Sequence, residues 1–390
     1  MRLIDSNERR ARLGVRHHLA APAGTIERVA GDMVGLHSSD AVSVYLAARA
    51  RLADLTRSEV ESALYDRRSL LRMLGMRRTI FVVPVDLGAV MDAACTRAFA
   101  AAENRRLARM VEQQGIATDG AKWVAGVGAA TLAAIAARGE AAARELTADV
   151  PELALKIRFG EGTKWAGDAG MSTRVLFLLA TEGRIIRGRP RGSWISTQYR
   201  WAPLADWLGH PLPPFDPVEA RRDLLTRWLR SFGPGTIADL KWWTGWSLRD
   251  TRAALAACDA VEVGLDSGTG YMLADDLEPV ARPEPWAALL PGLDSTPMGW
   301  KDRDWFLGGH AGVLYDRNGN VGPTVWCDGR IVGGWAQTST GEVAVRLLES
   351  LSRRHTSLVE RSRRELEEWL GGDTITPRFR TPLERELAAG

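Results

Sequence analysis

Apolar residues recur at helical spacing between residues 218 and 232, and this periodicity predicts a helix with one buried face. The residues on that face are Leu224, Leu225, Trp228, Leu229 and Phe232. Gly233-Pro234-Gly235 ends the helix, and Thr236 and Ser247 are natural N-caps for two shorter helices that end at Trp243 and Ala257. Strands at 261–265 and 270–273 follow, joined by a polar turn. Three helices and then a hairpin are the order of a winged-helix module, which we predict at 217–276.

The last of these helices divides its faces as a recognition helix does. Arg249 and Arg252 lie three residues apart and predict a basic outer face, whereas Leu248, Ala254 and Leu255 are expected to point to the core. A helix of this kind enters a DNA groove in winged-helix proteins. The module is therefore predicted to bind DNA.

A second module is predicted at 103–200. Its helices are expected at 120–138, 139–146 and 172–182, the last one after a Gly-rich stretch at 160–170. A strand at Ile185-Ile186, a Gly-Arg-Pro-Arg-Gly turn and a return through Trp194-Ile195-Ser196 predict a hairpin, or wing. The wing carries four arginines and no acidic residue, which favours contact with DNA phosphate: Arg184, Arg187, Arg189 and Arg191. The alternative is an ordinary solvated basic loop.

The remaining segments predict a further module at each end. A first winged-helix module is placed at 13–90, with helices near 14–20, 25–36, 41–52 and 57–66 and strands near 70–72 and 79–83. After Pro283 helical spacing disappears until Arg353, and turn-bounded strands are expected at 312–315, 324–327, 330–335 and 342–347. A helix at 357–370 and a strand at 374–379 complete a β-barrel-like or sandwich domain at 285–385. The predicted fold class is α+β, with tandem winged-helix modules followed by this β-rich domain.

Composition agrees with several folded modules inside the cell. The 390 residues exceed what one hydrophobic core usually supports, and 45% apolar with 25% charged residues is globular composition. The chain has no apolar run of membrane-spanning length, and Met1–Arg12 is charged throughout, so we expect a cytoplasmic protein with no membrane contact. The net charge of +3 does not mark a DNA-binding protein, but Arg and the 15 Trp residues suit phosphate contact and base stacking. A GC-rich genome explains the Arg excess equally well.

No cofactor or metal site is predicted. Cys95, Cys258 and Cys327 lie far apart and are expected to be buried thiols. The histidines outside the candidate site have no metal-ligand spacing and are expected to be structural or exposed: His17, His18, His310 and His355. Phosphate-binding Gly loops, dinucleotide fingerprints and the His-Glu-x-x-His pattern are absent from the sequence. Trp242-Trp243 are expected to divide between core and surface, with core packing favoured over base stacking.

Separated motifs in one order resemble a known family, the AlkZ-like winged-helix DNA glycosylases. The matching segments are Val34–Asp40 with Tyr45–Arg51, Met76–Pro84, Leu289–Asp294 and Asp328–Trp335. The resemblance implies tandem winged helices with a C-terminal β-barrel-like domain. It also implies binding of duplex DNA in a concave channel and excision of alkylated purines without a metal.

The sequence departs from the family at its catalytic motif. His37 stands where the family has the first Gln of Gln-x-Gln or Gln-x-Asp, and Ser39 stands at the second position. Phe81 also occupies a place where relatives carry His. The resemblance therefore supports the prediction of the fold more directly than the prediction of the activity.

The required chemistry does not depend on Gln. An N7-alkylated purine is cationic and leaves readily, so the protein must orient water and stabilise an oxocarbenium-like sugar. His37 and Asp40 lie three residues apart at a helix start, where Asp40 could polarise water, His37 could hold it and Ser39 could donate to a sugar or phosphate oxygen. The alternative for Asp40 is a helix N-cap with no catalytic part.

Two functions follow from these residues. The first is a monofunctional DNA glycosylase that acts on alkylated purines, with His37, Ser39 and Asp40 as its catalytic candidates; the alternative is a catalytically silent winged-helix DNA-binding or regulatory protein. The expected partner is damaged double-stranded DNA, bound by a monomer at the nucleoid. The DNA-binding candidates are Arg77, Arg78, Arg184, Arg187, Arg189, Arg191, Lys241, Arg249 and Arg252.

Overall fold

The computed structural model describes residues 1–159 and 167–390 and mixes helices with small sheets. The predicted α+β class is confirmed. Contacts divide the chain into two compact units. Unit 1 comprises Met1–Val60, Phe81–Pro84 and Arg222–Gly390, and unit 2 comprises Glu61–Ile80 and Val85–Arg221. The first part of the predicted Gly-rich stretch, 160–166, lies outside the described residues.

The elements up to the middle of the chain are mostly short. They are β1 (Leu3–Ile4), α1 (Ser6–Arg16), α2 (Ile26–Asp32), β2 (Leu36–His37), α3 (Ala41–Arg49), α4 (Arg57–Glu61), β3 (Leu70–Leu74), β4 (Ile80–Pro84), α5 (Val85–Met91), α6 (Arg97–Gln113), α7 (Gly120–Arg138), β5 (Ala141–Ala142), α8 (Ala143–Asp149), β6 (Lys156–Phe159), β7 (Gly167–Gly170) and α9 (Met171–Thr181). Single π-helical turns continue α4 and α5 at Ser62–Asp66 and Asp92–Thr96, and 3₁₀ turns lie at Met76–Arg78 and Pro151–Ala154.

The second half of the chain alternates hairpins with helices. It contains β8 (Ile185–Pro190), β9 (Tyr199–Pro203), α10 (Leu204–Leu208), α11 (Pro217–Phe232), α12 (Ile237–Thr244), α13 (Leu248–Ala257), β10 (Ala260–Leu265), β11 (Gly268–Leu273), β12 (Ala287–Leu290), α14 (Asp304–Leu307), α15 (Ala311–Leu314), β13 (Thr324–Cys327), β14 (Arg330–Gln337), β15 (Val343–Leu347), α16 (Arg353–Leu370) and α17 (Pro382–Ala388). A 3₁₀ turn at Ala274–Asp276 follows β11.

Unit 1 contains the three helices and hairpin that the sequence predicts near 217–273. The buried face of α11 is confirmed, because Leu224, Leu225, Trp228 and Leu229 are fully buried and Phe232 nearly so. Thr236 caps α12 by accepting the N–H of Asp239, and the main chain of Gly235 exchanges two hydrogen bonds with Tyr271 of β11. Leu248 is 39% exposed, so its predicted core position is wrong. It is the first residue of α13, and only the later turns of that helix turn Ala254 and Leu255 inward.

The C-terminal part of unit 1 is an antiparallel four-stranded sheet in the order β12-β13-β14-β15. Within the described residues this sheet has two edge strands and does not close, so the predicted β-barrel is wrong. The predicted strand at 374–379 does not form. Its main-chain N–H groups bond side chains instead, since Ile375 donates to Gln337 Oε1 at 2.8 Å and Arg378 donates to Asp40 Oδ2 at 3.0 Å.

Two other predictions are wrong, one in the type of element and one in its bounds. The predicted strand at 312–315 is a short helix, α15, because tertiary packing overrides the strand propensity of Val313. The first helix runs from Ser6 to Arg16 and not from 14 to 20. Asp5 caps this helix by accepting the N–H of Glu8, and that polar start was not included in the sequence pattern.

Unit 2 has its own hydrophobic core. Helices α6, α7, α8 and α9 enclose it with β5, β8 and β9 at one side. The bounds of α7 match the prediction, and α9 is shifted by one residue. By length and composition α7 could cross a membrane, but core helices of soluble proteins pass the same test. Val124, Val127 and Ile135 of α7 belong to the core.

Candidate functional site

His37 lies at the end of β2, which pairs with the segment Phe81–Pro84 in unit 1. The antiparallel register places His37 opposite Phe81, and the two rings meet edge to face with centroids 5.5 Å apart. The side chain is only 6% exposed. The N–H of Ser39 lies 3.5 Å from Nδ1 of the imidazole, a long hydrogen bond that favours the tautomer with its proton on Nε2. His37 therefore presents a donor from a largely apolar wall.

Asp40 begins α3. Its Oδ1 accepts the N–H of Val42 at 3.4 Å, and its Oδ2 accepts the main-chain N–H of Arg378 at 3.0 Å. Burial raises the pKa of the Asp40 carboxyl above its ordinary value, and the two N–H donors and the Arg378 charge oppose this rise. Asp40 is thus a helix cap, as the alternative predicted, and at the same time a buried carboxylate. Each of its two oxygens accepts one hydrogen bond, so each can accept a further donor such as water.

A small cavity adjoins Asp40. Its volume is about 20 Å³, which holds about one water molecule and no base. Asp40, Ser43 and Thr376 supply the polar side chains of its wall, and Pro291 and Trp335 are among the apolar ones. The cavity lies where a water bound to Asp40 would sit.

The motif Leu289–Asp294 continues into a loop that holds β2 in place. The Ser295 hydroxyl accepts the N–H of His37 at 3.2 Å and donates to the carbonyl oxygen of Gly35 at 2.9 Å. Gly35 has a φ of 104°, and a Cβ there would lie 3.0 Å from Val83 and 3.2 Å from Phe81, so the position requires glycine. Ser295 and Gly35 together fix the main chain that carries His37.

A buried ion pair supports the same loop. Arg51 donates to both carboxylate oxygens of Asp294, at 2.9 and 2.7 Å, and both side chains are fully buried. Arg51 also donates to the Thr296 hydroxyl at 2.8 Å, and that hydroxyl lies 2.9 Å from Nδ1 of His17. Burial and the neighbouring Arg51 lower the pKa of His17 well below its ordinary value, so this histidine is neutral and structural.

Sequence analysis named Asp294 and Arg51 only as parts of motifs, and it missed Ser295 and Arg378. Arg51 and Asp294 are 243 residues apart, and Asp40 and Arg378 are 338 apart. No local periodicity signals such pairs. A buried-charge argument could have suggested a partner for Arg51, since it follows a continuous apolar helix.

The DNA-binding candidates of unit 1 are exposed. Lys241 lies on α12, and Arg249 and Arg252 lie on the outer face of α13, as predicted. Lys241 and Arg249 form no ion pair with any residue that the structure describes, so their charges are open to solvent. Trp243 is buried and Trp242 is half-buried beneath the Arg303 guanidinium, at 4.9 Å from the ring centroid.

The basic wing of unit 2 is the hairpin β8–β9, and its first strand is longer than predicted. Arg187 and Arg189 lie on β8, with Arg184 before it and Arg191 after it. The return strand begins at Tyr199 and not at Trp194. The premise that the wing lacks acidic partners is wrong for Arg189, which pairs with Glu61 at 2.7 Å and Asp66 at 2.8 Å. Arg187 lies over the Trp201 ring, 4.9 Å from its centroid.

Arg77 and Arg78 form the 3₁₀ turn that precedes β4. Both have left-handed backbone, with φ of 53° and 59°, which non-glycine residues adopt at a cost of about 1–2 kcal/mol each. Arg78 is exposed and pairs with Glu103 at 2.7 Å, and Arg77 is half-buried.

Several charged groups that line a second cavity of unit 1 pair with one another. A cavity of about 630 Å³ is lined by Arg282, Asp328, Arg330, Glu349 and His355, among others. Asp328 accepts from Arg282 at 2.7 Å and lies 3.0 Å from Nε2 of His355, while Arg330 pairs with Glu349. Among the residues that the structure describes, no three His, Cys, Asp or Glu side chains form a metal-binding group. The three cysteines are buried and free, as predicted.

The comparisons with known proteins agree with this geometry. The model of the AlkZ-like DNA glycosylase family matches residues 30–372. Among solved structures, the chain is similar to the Streptomyces sahachiroi DNA glycosylase AlkZ, with a TM-score of 0.73 and 19% identity over 97% of this chain and 100% of that chain. No curated protein sequence matches the chain. The protein belongs to the AlkZ-like DNA glycosylase family, which makes it a DNA-binding hydrolase of DNA repair.

Proposed function

We propose that this protein hydrolyses the N-glycosidic bond of an alkylated purine in duplex DNA, as a monofunctional glycosylase. The observation that carries the proposal is the segment His37–Asp40, which lies inside the family match and is held by hydrogen bonds from two distant loops. Groups that must act on a reacting sugar need such fixed positions. The protein acts as a monomer inside the cell, on DNA of the nucleoid.

The roles of the three residues follow from their surroundings. Asp40 polarises the attacking water, and the water-sized cavity beside it supports this role. His37 donates through Nε2 to that water or to the sugar. Ser39, which is half-buried, donates to a sugar or phosphate oxygen. A cationic N7-alkylpurine leaves without strong acid catalysis, so no further acid is required.

One observation favours the catalytically silent alternative. His37 is 6% exposed and Asp40 is 8% exposed, and Asp40 already caps α3 and accepts the Arg378 N–H, so substrate must open the site to reach them. An assay of base release separates the two functions. Duplex DNA that carries 7-methylguanine is incubated with the protein, and abasic sites are counted after alkaline cleavage. Tight binding of this duplex without abasic sites would establish the alternative.

The proposed DNA contacts are the basic side chains on the helices, the turn and the hairpin described above. Helices α11–α13 with β10–β11 form a winged-helix module at 217–276, with Arg249 and Arg252 on its recognition helix. The proposed modules at 13–90 and 103–200 add the turn of Arg77 and Arg78 and the basic wing. Left-handed backbone at two successive basic residues is strained, and such strain often occurs at binding elements, which supports the role of that turn.

The wing is expected to contribute to affinity through phosphate charge. Replacing Arg184, Arg187, Arg189 and Arg191 together by Ala should weaken binding to undamaged duplex and lower the slope of log affinity against log salt by about 0.9 for each arginine that contacts a phosphate. Arg189 is expected to contribute least, because Glu61 and Asp66 already neutralise it. Affinity is measured by fluorescence anisotropy from 50 to 300 mM salt. The double variant Arg361→Ala, Arg364→Ala on α16 is the control, and an unchanged slope in the wing variant would exclude the wing from the interface.

The acidic limb of the pH profile is expected to report Asp40. Because the pKa of Asp40 is raised in the folded protein, the carboxylate that activates water is lost at a higher pH than for an ordinary Asp, and base release should fall as the pH drops through that value. Asp40→Asn is expected to lower the rate by about a hundredfold or more and to remove this limb. Asn is as good an N-cap as Asp, so α3 should persist. A variant with native rate and native profile would leave Asp40 with only its capping role.

A further inference from the structure

Arg378 lies at the start of α3 although it is 338 residues from Asp40 in sequence. Its main-chain N–H donates to Asp40 Oδ2, and its guanidinium Nη1 donates to the carbonyl oxygen of Ser39, each at 3.0 Å. The guanidinium also lies over its neighbour Phe379, 5.6 Å from the ring centroid. The residue is therefore held at the candidate site by one main-chain and one side-chain hydrogen bond, and neither is an ion pair that neutralises its charge.

The charge of Arg378 is available to a ligand. The residue is exposed, and it forms no salt bridge with a residue in the described ranges 1–159 and 167–390. A guanidinium has five N–H donors, of which the Ser39 carbonyl takes one. Arg380, two residues later, differs in this respect, since it pairs with both oxygens of Glu384 at 2.7 and 2.9 Å. Of these two neighbouring arginines, only Arg380 has its charge neutralised by a carboxylate among the described residues.

We propose that Arg378 binds a DNA phosphate that flanks the damaged nucleotide and so holds the sugar against Ser39 and Asp40. The inference rests on the proposed function, because it takes His37–Asp40 as the site of base release. Each sugar of DNA is bonded to two phosphates, so a group that reaches the sugar from Asp40 has a phosphate close to the neighbouring arginine. Arg suits this contact because its planar fork can bond the phosphate and the Ser39 carbonyl at once.

The contact can be tested by a double-mutant cycle between protein and DNA. Duplexes with one 7-methylguanine, made resistant to cleavage by a 2′-fluoro sugar, carry a neutral methylphosphonate at the linkage 5′ or 3′ of the lesion. Arg378→Ala is expected to raise the Kd of the fully charged duplex about tenfold or more, as for loss of a charged hydrogen bond. With the methylphosphonate at the contacted linkage, the variant and the native protein should bind equally. If Arg378→Ala and the methylphosphonate change Kd independently, so that their factors multiply at both linkages, the proposal is overturned.

Two further variants separate phosphate binding from support of the fold. Arg317→Ala removes another exposed cation of unit 1 without an ion pair among the described residues, and it should leave Kd and the rate unchanged. Arg378→Lys keeps a point charge, so it should keep the coupling to the methylphosphonate and lose part of the affinity. A loss in the Lys variant as large as in the Ala variant, with the coupling absent, would count against phosphate contact. Because the 2′-fluoro duplex measures binding alone, the test stands even if native protein fails to release the base, and that failure would overturn only the proposed function.

Discussion

His37→Ala is expected to lower the single-turnover rate of base release from 7-methylguanine duplex by about a hundredfold to ten-thousandfold, the usual effect of losing a positioned proton donor or acceptor. The imidazole packs against the Phe81 ring at the end of β2, and it is the proposed donor to the attacking water or to the sugar. Affinity for the duplex should change little, because binding depends mainly on phosphate contacts elsewhere. The rate is measured with protein in excess, together with the Kd of each variant.

His37→Gln is the matched variant. It introduces the side chain that the resemblance to the family implies at this position, and a Gln amide can donate a hydrogen bond as an imidazole N–H does. The Gln variant is therefore expected to retain far more activity than the Ala variant. His210→Ala, at an exposed residue that bonds the Pro211 carbonyl oxygen at 2.9 Å, is the control and should behave as the native protein. If His37→Ala and His37→Gln both release base at the native rate, the water is positioned by other groups.

Strong local signals were sufficient to predict much of the fold. The bounds of α7 and the buried face of α11 follow from apolar spacing, and the α12 start follows from the capping preference of Thr236. The strand Thr324–Cys327 was predicted at its observed bounds, because Asp328-Gly329 marks the turn into β14. These elements are long, strongly periodic or bounded by turn residues.

Predictions that required long-range packing failed. Thr374–Phe379 has strand-like residues, but its main chain bonds the side chains of Gln337 and Asp40 rather than a neighbouring strand. The sheet therefore lacks the strand that a closed barrel was expected to use. Sequence reasoning also divides a chain into contiguous segments. The compact units follow another division, since Phe81–Pro84 is part of unit 1 while the residues on either side of it belong to unit 2.

For the candidate site, sequence supplied the residues but not their environment. His37, Ser39 and Asp40 were found from the motif position, and the capping role of Asp40 was among the alternatives. The burial that raises the pKa of Asp40, the Ser295 bridge to His37 and the position of Arg378 all depend on chain that is more than 250 residues away. The site is thus built where N-terminal motif residues meet loops of the C-terminal sheet within one unit.

The contact between these N-terminal residues and C-terminal loops depends on one buried ion pair, between Arg51 and Asp294. The pair is fully buried and bidentate, and Arg51 also bonds the carbonyl oxygen of Ala47 at 2.7 Å, while Asp294 Oδ1 accepts the N–H of Thr296 at 2.9 Å. Removing one partner leaves an uncompensated charge in a site without water access. The loop that carries Ser295, and through it the His37 main chain, is then no longer held.

Asp294→Asn is therefore expected to destabilise unit 1 by about 3–5 kcal/mol, because the Arg51 charge stays buried without its partner. The double variant Arg51→Met, Asp294→Leu removes both charges and should recover a large part of this loss, since apolar groups of similar volume replace buried ion pairs with little net cost. The control is Asp149→Asn, which breaks the bidentate pair of Arg138 and Asp149, at 2.6 and 2.8 Å, on the surface of unit 2. This variant should leave the unfolding midpoint nearly unchanged, because solvent screens exposed charges. Urea unfolding followed by Trp fluorescence gives the midpoints. If the midpoint of Asp294→Asn is as high as that of Asp149→Asn, the pair does not hold the loop. If it is low and the double variant restores it, while the single variant also releases base slowly, the stability of this pair determines the placement of His37.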